Sequence, residues 1–349
     1  MGQGKFSKKA EGRTAQPKKK TSFNTILLRI LVVLLSLILV LLIVAALALN
    51  YFFGRISRYD EQETQPTETI EEFFETDETV EGQETVDPDS VEWEKVEVVE
   101  KEIINILLIG QDARPGETRA RSDSMILVSL DEETGKIQLT SFMRDLYVQI
   151  PGYQDNRINS AFALGGPDLL DNTIKENFGV EVDGNVEVNF EAFVEIIDIL
   201  GGVDIEVTSA EANYMRQNGV SAKEGMNHFS GSAALAFARV RSLSGGDYAR
   251  TERQRRLIQA VLNGLSDIGV TEMLTLVNKV LPYVTTDLTD AQIIEYATAG
   301  LNALAKSGEV KSTRIPQDDA HYPATIRGMS VLVPDLKMCQ EDLMAFTGE

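Results

Sequence analysis

Cysteine and histidine are nearly missing from this chain of 349 residues: Cys339 is the single thiol, and His228 and His321 are the only imidazoles. A lone cysteine excludes an intrachain disulfide, so the folded part must hold itself through its core. Two histidines leave little material for a histidine-based zinc site or a Ser-His-Asp triad. Any chemistry has to come from carboxylates and arginines. Positive charge is scarce as well, with 33 Lys and Arg against 54 Asp and Glu and a net charge of −21. That balance argues against nucleic acid as a partner. No internal repeat is visible.

What is present falls into zones. Residues 1–23 carry seven Lys or Arg against Glu11, and residues 30–49 (ILVVLLSLILVLLIVAALAL) then run for twenty positions without a charge. Twenty helical residues at 1.5 Å each match a hydrocarbon core of about 30 Å. Ala46-Leu47-Ala48 offers small residues suited to cleavage, but a signal h-region of about 7–15 residues is shorter than this run, so an uncleaved signal anchor is expected. The positive-inside rule keeps the basic tail cytoplasmic and puts the rest outside the cell membrane. Residues 60–102 contain 18 acidic and 2 basic side chains, a composition that self-repels and reads as an extended spacer. The expected divisions are a cytoplasmic tail at 1–25, a transmembrane anchor at 26–53, a disordered acidic stalk at 54–102 and an extracellular domain at 103–349.

Within that domain, apolar runs at 103–109 and 124–130 read as core strands, and the turn DEETGK after the second predicts a hairpin over 124–142. Helices are predicted from Pro167 to Gly179, over 190–200 ahead of the strand VDIEV, after Ser230, after Asp247, and in EMLTLVNKVLPYV and DAQIIEYATAGLNAL. Strands and helices without strict alternation imply an α/β fold layered around one mixed or antiparallel sheet.

In FARVRSLSGGDYARTERQRR (237–256), six arginines and no lysine stand in a domain that is acidic overall. Arg250, Arg253 and Gln254 share a face at the start of a predicted helix, where unpaired amides and the helix dipole already favour an anion. Arg239 and Arg241, at the end of the preceding helix, can converge on the same place, and arginine suits a bidentate grip on phosphate. Arg255 and Arg256 lie partly off that face and are expected to pair with carboxylates. Upstream, in GQDARPGETRARSDS, Asp112 follows one strand and Asp123 precedes the next. Two such carboxylates could hold Mg²⁺ among water and phosphate oxygens. SFMRDL puts Arg144 and Asp145 just beyond a third strand, with Asp145 a candidate general base or an ion-pair partner of Arg144.

NILLIGQDARPGETRARSD, SFMRDLYVQIPG, NRINSAFALGG, IDILGGVDIEV, ALAFARVR and GGDYARTERQ, in this order behind a membrane anchor, resemble the LytR-CpsA-Psr family over about residues 103–336. The resemblance implies an α/β/α three-layer sandwich on the outer face of a bacterial cytoplasmic membrane. It implies a phosphotransferase that takes a polyprenyl-pyrophosphate-linked glycopolymer, of teichoic acid or capsule type, and joins it to a peptidoglycan hydroxyl as a phosphodiester. It assigns Mg²⁺, with Mn²⁺ as a substitute, to Asp112 and Asp123, and pyrophosphate binding to Arg121, Arg144, Arg239, Arg241, Arg250, Arg253 and Gln254. Arg121, Arg144 and Asp145 are the expected catalytic groups. Met143 departs from the pattern, since many members have proline there, and the change is expected to act on loop stiffness. A membrane-tethered binder without turnover could use the same arginines, but paired aspartates beside a phosphate site gain nothing unless a metal lies between. A transcriptional regulator is not expected, because the short cytoplasmic tail leaves no reader for DNA.

Overall fold

The structure, a computed structural model, describes residues 51, 53–59, 83–98, 103–111, 121–240, 243, 245–265, 275–276, 279–307 and 309–345. The chain separates into two compact units, Met1–Gly54 and Arg55–Glu349. The membrane anchor expected at 26–53 lies almost wholly outside the described residues, as do Asp112 and Arg241. Among the described residues no helix is long and apolar enough to cross a membrane.

The second unit is built on a seven-stranded mixed sheet. Its strands are β1 (Ser57–Arg58), β2 (Ile103–Gln111), β3 (Ser122–Asp131), β4 (Lys136–Phe142), β7 (Gly184–Asn189), β10 (Thr285–Thr286) and β11 (Val310–Ile315), in the order β1-β10-β7-β2-β3-β4-β11. The hairpin β2-β3-β4 is antiparallel, whereas β7 and β11 join parallel to β2 and β4. Three small ribbons sit beside it: β5 (Tyr147–Val148) with β6 (Asn156–Arg157), β8 (Val203–Val207) with β9 (Gly225–Phe229), and β12 (His321–Ile326) with β13 (Met329–Pro334).

Helices cover both faces. On one lie α1 (Asn159–Phe178) and the C-terminal helix Leu336–Met344, packed with Leu107, Ile109, Leu127, Phe142 and Phe178 in the main core. Along the other run α2 (Phe190–Ile199), α4 (Gly231–Ala238), α5 (Gly246–Leu265) and α6 (Asp290–Lys306), with α3 (Ser209–Gln217) outside them. The result is an α/β fold around one mixed sheet, as the sequence pattern predicts, in the three layers that the family resemblance implies. Local signals explain the helix starts: Asn189 caps α2 through Ala192 N at 2.8 Å, and Thr208 with Glu211, and Thr289 with Gln292, form reciprocal capping boxes. Gly231 lets α4 approach α2 closely, because a Cβ there would sit 2.1 Å from the Val194 carbonyl oxygen.

The stalk expected at 54–102 differs from the structure at both ends. Residues 57–58 form β1 in the main sheet, where Arg58 also pairs with Asp290 at 2.5 Å. Residues 83–98 lie on the domain as a strap. Its backbone bonds with Thr325, Val86 and Val91 pack on the β12-β13 core, and Trp93 stacks on Tyr147 with ring centroids 5.9 Å apart while donating to Asp155. A few apolar side chains (Val86, Val91, Trp93, Val96) inside the acidic composition supply the buried surface that holds it.

Candidate functional site

Arg144 is the hub of a cluster assembled from three elements. The chain leaves β4 at Phe142, turns through a Leu146 N to Met143 O bond of 3.1 Å, and hands the Asp145 carbonyl to Leu332 N at 2.9 Å. Met143, at the position where the family often has proline, is 1 % exposed, and its N–H donates to Ile315 O at 2.9 Å, a bond proline could not make. The turn delivers Arg144 between Asp123 of β3 and Asp247 of α5. Its Nε donates to Asp247 Oδ2 at 2.9 Å and its Nη1 to Asp123 Oδ1 at 3.3 Å. Arg250, one turn along α5, donates from Nη2 to the same Asp247 oxygen at 3.0 Å.

Asp145 completes the cluster from beneath. Its Oδ1 is buried, accepts no hydrogen bond, and faces Arg144 Nε at 3.5 Å and Arg157 Nη1 at 3.6 Å. Burial pushes its carboxyl above the usual range, against the pull of Arg144, Arg157 and Arg250 and with a further push from Asp247. Burial also works to lower the Arg144 pKa, but Asp145, Asp247 and Asp123 outweigh it and raise the value. A guanidinium is charged at any working pH, so Arg144 exchanges no proton here, whereas the affinity of the Asp145 carboxyl for one is raised.

The remaining predicted residues divide. Gln254 accepts from Ser124 Oγ at 3.2 Å, and Arg239, exposed at the end of α4, lies over the Phe190 ring at 4.5 Å. Arg121 stands half-buried at the start of β3, next in sequence to the Ser122–Asp123 pair. Arg253 is elsewhere. Its side chain, 5 % exposed, donates from Nε to Glu211 Oε1 at 2.8 Å and from Nη1 to Val240 O at 2.8 Å. Arg256 reaches the same Glu211 oxygen at 2.9 Å, and Arg255 donates to Ser312 Oγ at 2.8 Å. Although burial pushes the Glu211 carboxyl up, Thr208 and the two guanidinium groups hold it below the usual carboxylate range. The face shared by Arg250 and Arg253 therefore splits, with Arg250 turned to the carboxylate cluster and Arg253 to the capping residue of α3.

Beside the cluster opens an apolar groove of about 340 Å³ that the sequence did not reveal. Its floor is the sheet at Leu108, Gly110, Ile126 and Val186, its walls are Phe193 of α2 and Leu257, Val261 and Leu262 of α5, and Arg239 and Gln254 stand on its rim. Groove-lining and core side chains follow the same periodicity, so pattern alone cannot separate them.

For a metal ion, the cluster offers only carboxylate oxygens, without thiolate or imidazole, a donor chemistry that fits Mg²⁺ or Mn²⁺. Among the described residues no group of three or more His, Cys, Asp or Glu is set to hold one, and Asp112 lies outside them.

The arrangement is thus a cluster of arginines and carboxylates and an adjoining apolar groove with Arg239 and Gln254 on its rim. Among curated proteins the chain is 35 % identical over 217 residues to the Staphylococcus aureus regulatory protein MsrR, covering 61 % of this chain and 64 % of that protein, slightly under two thirds of its length. It is 34 % identical over 244 residues to the Bacillus mycoides polyisoprenyl-teichoic acid–peptidoglycan teichoic acid transferase TagU, covering 66 % and 75 %. Among solved structures, TagT bound to LIIa-WTA matches with a TM-score of 0.58 and 25 % identity over 71 % of this chain and 92 % of that one. TagT with bound octaprenyl pyrophosphate shares the fold, with a TM-score of 0.56 and 24 % identity over the same shares of the two chains. The profile of the LytR_cpsA_psr family matches residues 67–343, most of the chain, and the protein belongs to that family.

Proposed function

We propose that this protein is a membrane-anchored phosphotransferase that moves an anionic glycopolymer from a polyprenyl-pyrophosphate carrier to a hydroxyl of peptidoglycan. The observation that carries the reading is an apolar groove with Arg239 and Gln254 on its rim beside the Arg144–Arg250 cluster, since a ligand with a pyrophosphate head and a hydrocarbon tail fits both at once. The TagU transferase, at 34 % identity, supports the reaction class. The basic tail and uncharged run at 1–49 support a cytoplasmic N-terminus and an extracellular domain.

In this reading the prenyl chain lies along the floor between α2 and α5 while Arg239, Arg241, Arg250 and Arg121 grip the pyrophosphate. An acceptor hydroxyl oxygen attacks the sugar-bearing phosphorus, a new P–O bond forms, and the bridging P–O bond to the lipid phosphate breaks. Polyprenyl phosphate leaves with the bond's electron pair. Arg144 neutralises charge as it grows on the equatorial oxygens. Asp145, whose carboxyl burial makes more basic, would take the hydroxyl proton. Asp123 together with Asp112 would hold Mg²⁺ or Mn²⁺, which supplies further charge neutralisation on the phosphates when bound. Arg253 acts in this scheme from a distance, by fixing α3 against α5 through Glu211.

The test uses the full chain in detergent with a synthetic polyprenyl-pyrophosphoryl disaccharide, peptidoglycan oligomers and Mg²⁺, followed by mass spectrometry. A phosphodiester product that disappears in Arg144→Ala is expected. Tight carrier binding without product, in an assay where a relative turns over, would replace the transferase with a tethered binder.

A further inference from the structure

A second group of buried charges lies where α3 meets α5. Glu211 of α3 and Arg253 of α5 are each 4 % exposed. Taking two ions out of water carries a desolvation cost that their attraction often fails to recover, so stability alone is a weak reason for such a pair. Its hydrogen bonds show a second use. Arg253 donates from Nε to Glu211 Oε1 at 2.8 Å and from Nη1 to the Val240 carbonyl at 2.8 Å. Glu211 is itself held from behind: Oε2 accepts from Thr208 N at 2.9 Å, and Arg256 Nη1 donates to Oε1 at 2.9 Å.

Val240 is where this chain of bonds ends, and it lies between Arg239 and Arg241, just past the last turn of α4. The regular bonding of α4 runs out there. Arg239 N still reaches Leu235 O at 3.0 Å, but Val240 N turns back to Phe237 O at a longer 3.3 Å. Val240 is 1 % exposed, so its carbonyl meets a protein donor in place of water, and that donor is Arg253. A guanidinium presents its donors in one rigid plane and fixes the carbonyl in direction as well as distance, which an ammonium cannot do. The Arg239 side chain, exposed over the Phe190 ring at 4.5 Å on the rim of the groove, extends from the backbone held in this way.

We infer that Glu211 and Arg253 are positioning residues for the carrier head group: Glu211 orients Arg253, and Arg253 fixes the backbone that carries Arg239 and Arg241. The inference rests on the carrier reading of the groove and its rim. Arg253 then serves the pyrophosphate without touching it, and the outlying helix α3 becomes part of the site's support. A misplacement of about 1 Å caused by a residue far from the chemistry can cost about 100-fold. Breaking the fork is therefore expected to cost head-group recognition at least about tenfold.

The experiment measures the binding of farnesyl pyrophosphate and of farnesol to the full chain in one detergent, well below each variant's melting temperature. The ratio of the two affinities reports head-group recognition, and comparing variants cancels the partition of each lipid into micelles. Glu211→Gln removes the charge that orients Arg253 while leaving Arg253 itself, and is expected to lower the ratio at least tenfold with farnesol binding within twofold of wild type. Arg253→Lys keeps the charge without the fork and is expected to do the same. Arg256→Ala takes the second cation from Glu211 but leaves the bond to Val240, and should keep the ratio within twofold even where its melting temperature falls. If Glu211→Gln keeps or raises the ratio, Arg253 meets the head group directly or not at all, and the inference falls. It falls as well if Arg256→Ala lowers the ratio as much as the other two, or if farnesol binding drops alongside, since the effect is then general loosening. A wild-type chain that binds neither lipid, or both alike, overturns the carrier reading itself and takes the inference with it.

Discussion

Asp171→Asn should make the protein more stable, and more so as the pH rises. Asp171 of α1 accepts from Asn185 Nδ2 at 2.7 Å on Oδ2, while the same amide nitrogen donates to Asp287 Oδ2 at 2.7 Å. Asp171 Oδ1 is buried and has no hydrogen-bond partner, which favours a proton on the Asp171 carboxyl over a bare charge. Burial pushes the Asp171 carboxyl up to about 8, opposed by the Asn185 donation and helped by Asp287 and Asp168. A carboxyl raised in the folded state keeps a proton that the unfolded chain, with a pKa of about 3.9, releases. Its contribution is therefore complete below about pH 4 and is lost as the pH climbs toward about 8, by about 1.4 kcal/mol per unit. Between pH 5 and pH 8 that amounts to about 4 kcal/mol. Asparagine offers Nδ2–H in place of the acid proton and an oxygen for Asn185, without ionising. Thermal unfolding of the full chain at the two pH values is the assay. For a domain of this size about 2–4 °C accompanies each kcal/mol, so the variant's advantage in Tm should grow by roughly 8–16 °C from pH 5 to pH 8. An advantage that is absent, or equal at both pH values, would show that Asp171 is ionised in the folded protein and refute the reasoning.

Glu211→Gln removes the charge facing two guanidinium groups, one of them 5 % exposed, and should cost about 3–5 kcal/mol in urea unfolding. Because the Glu211 carboxyl is held low, its contribution is present above the unfolded value of about 4.3 and fades as the pH falls through the lowered one. Arg144→Ala should lower transfer by at least about 100-fold with the fold intact, and Arg144→Lys should recover only part of it, as a point charge cannot bridge Asp123 and Asp247. Replacing Arg239 and Arg241 together by alanine should abolish carrier binding at unchanged melting temperature, while Arg253→Ala should lower the melting temperature first. Calorimetry beside lipid binding separates the two cases. Trp93→Ala takes away the stacking on Tyr147 and the bond to Asp155, and should expose the strap at 83–98 to limited proteolysis.

Much of the sandwich was legible because its elements announce themselves locally. Ser230 directly precedes α4, α5 begins at Gly246 with Asp247 inside its first turn rather than ahead of it, and the turn through Gly135 closes the β3-β4 hairpin. What sequence spacing could not show was which partner each arginine would find. Arg250 and Arg253 are three residues apart and look equivalent, yet their partners are Asp247 in the same turn and Glu211, forty-two residues upstream. Glu211 in turn reads as an ordinary capping-box residue, and its second role depends on a helix crossing that no local pattern encodes. The strap at 83–98 was hidden for the opposite reason: net charge dominates its composition, and a few well-placed apolar side chains decide its structure. The β12-β13 hairpin and the C-terminal helix were not predicted, being short elements without strong periodicity.

Residues 60–82 carry ten Asp and Glu and no Lys or Arg. The described segments on either side, Ser57–Arg58 and 83–98, are both held on the unit Arg55–Glu349. Changing the number of acidic residues between them therefore changes the charge the protein carries without touching either held segment.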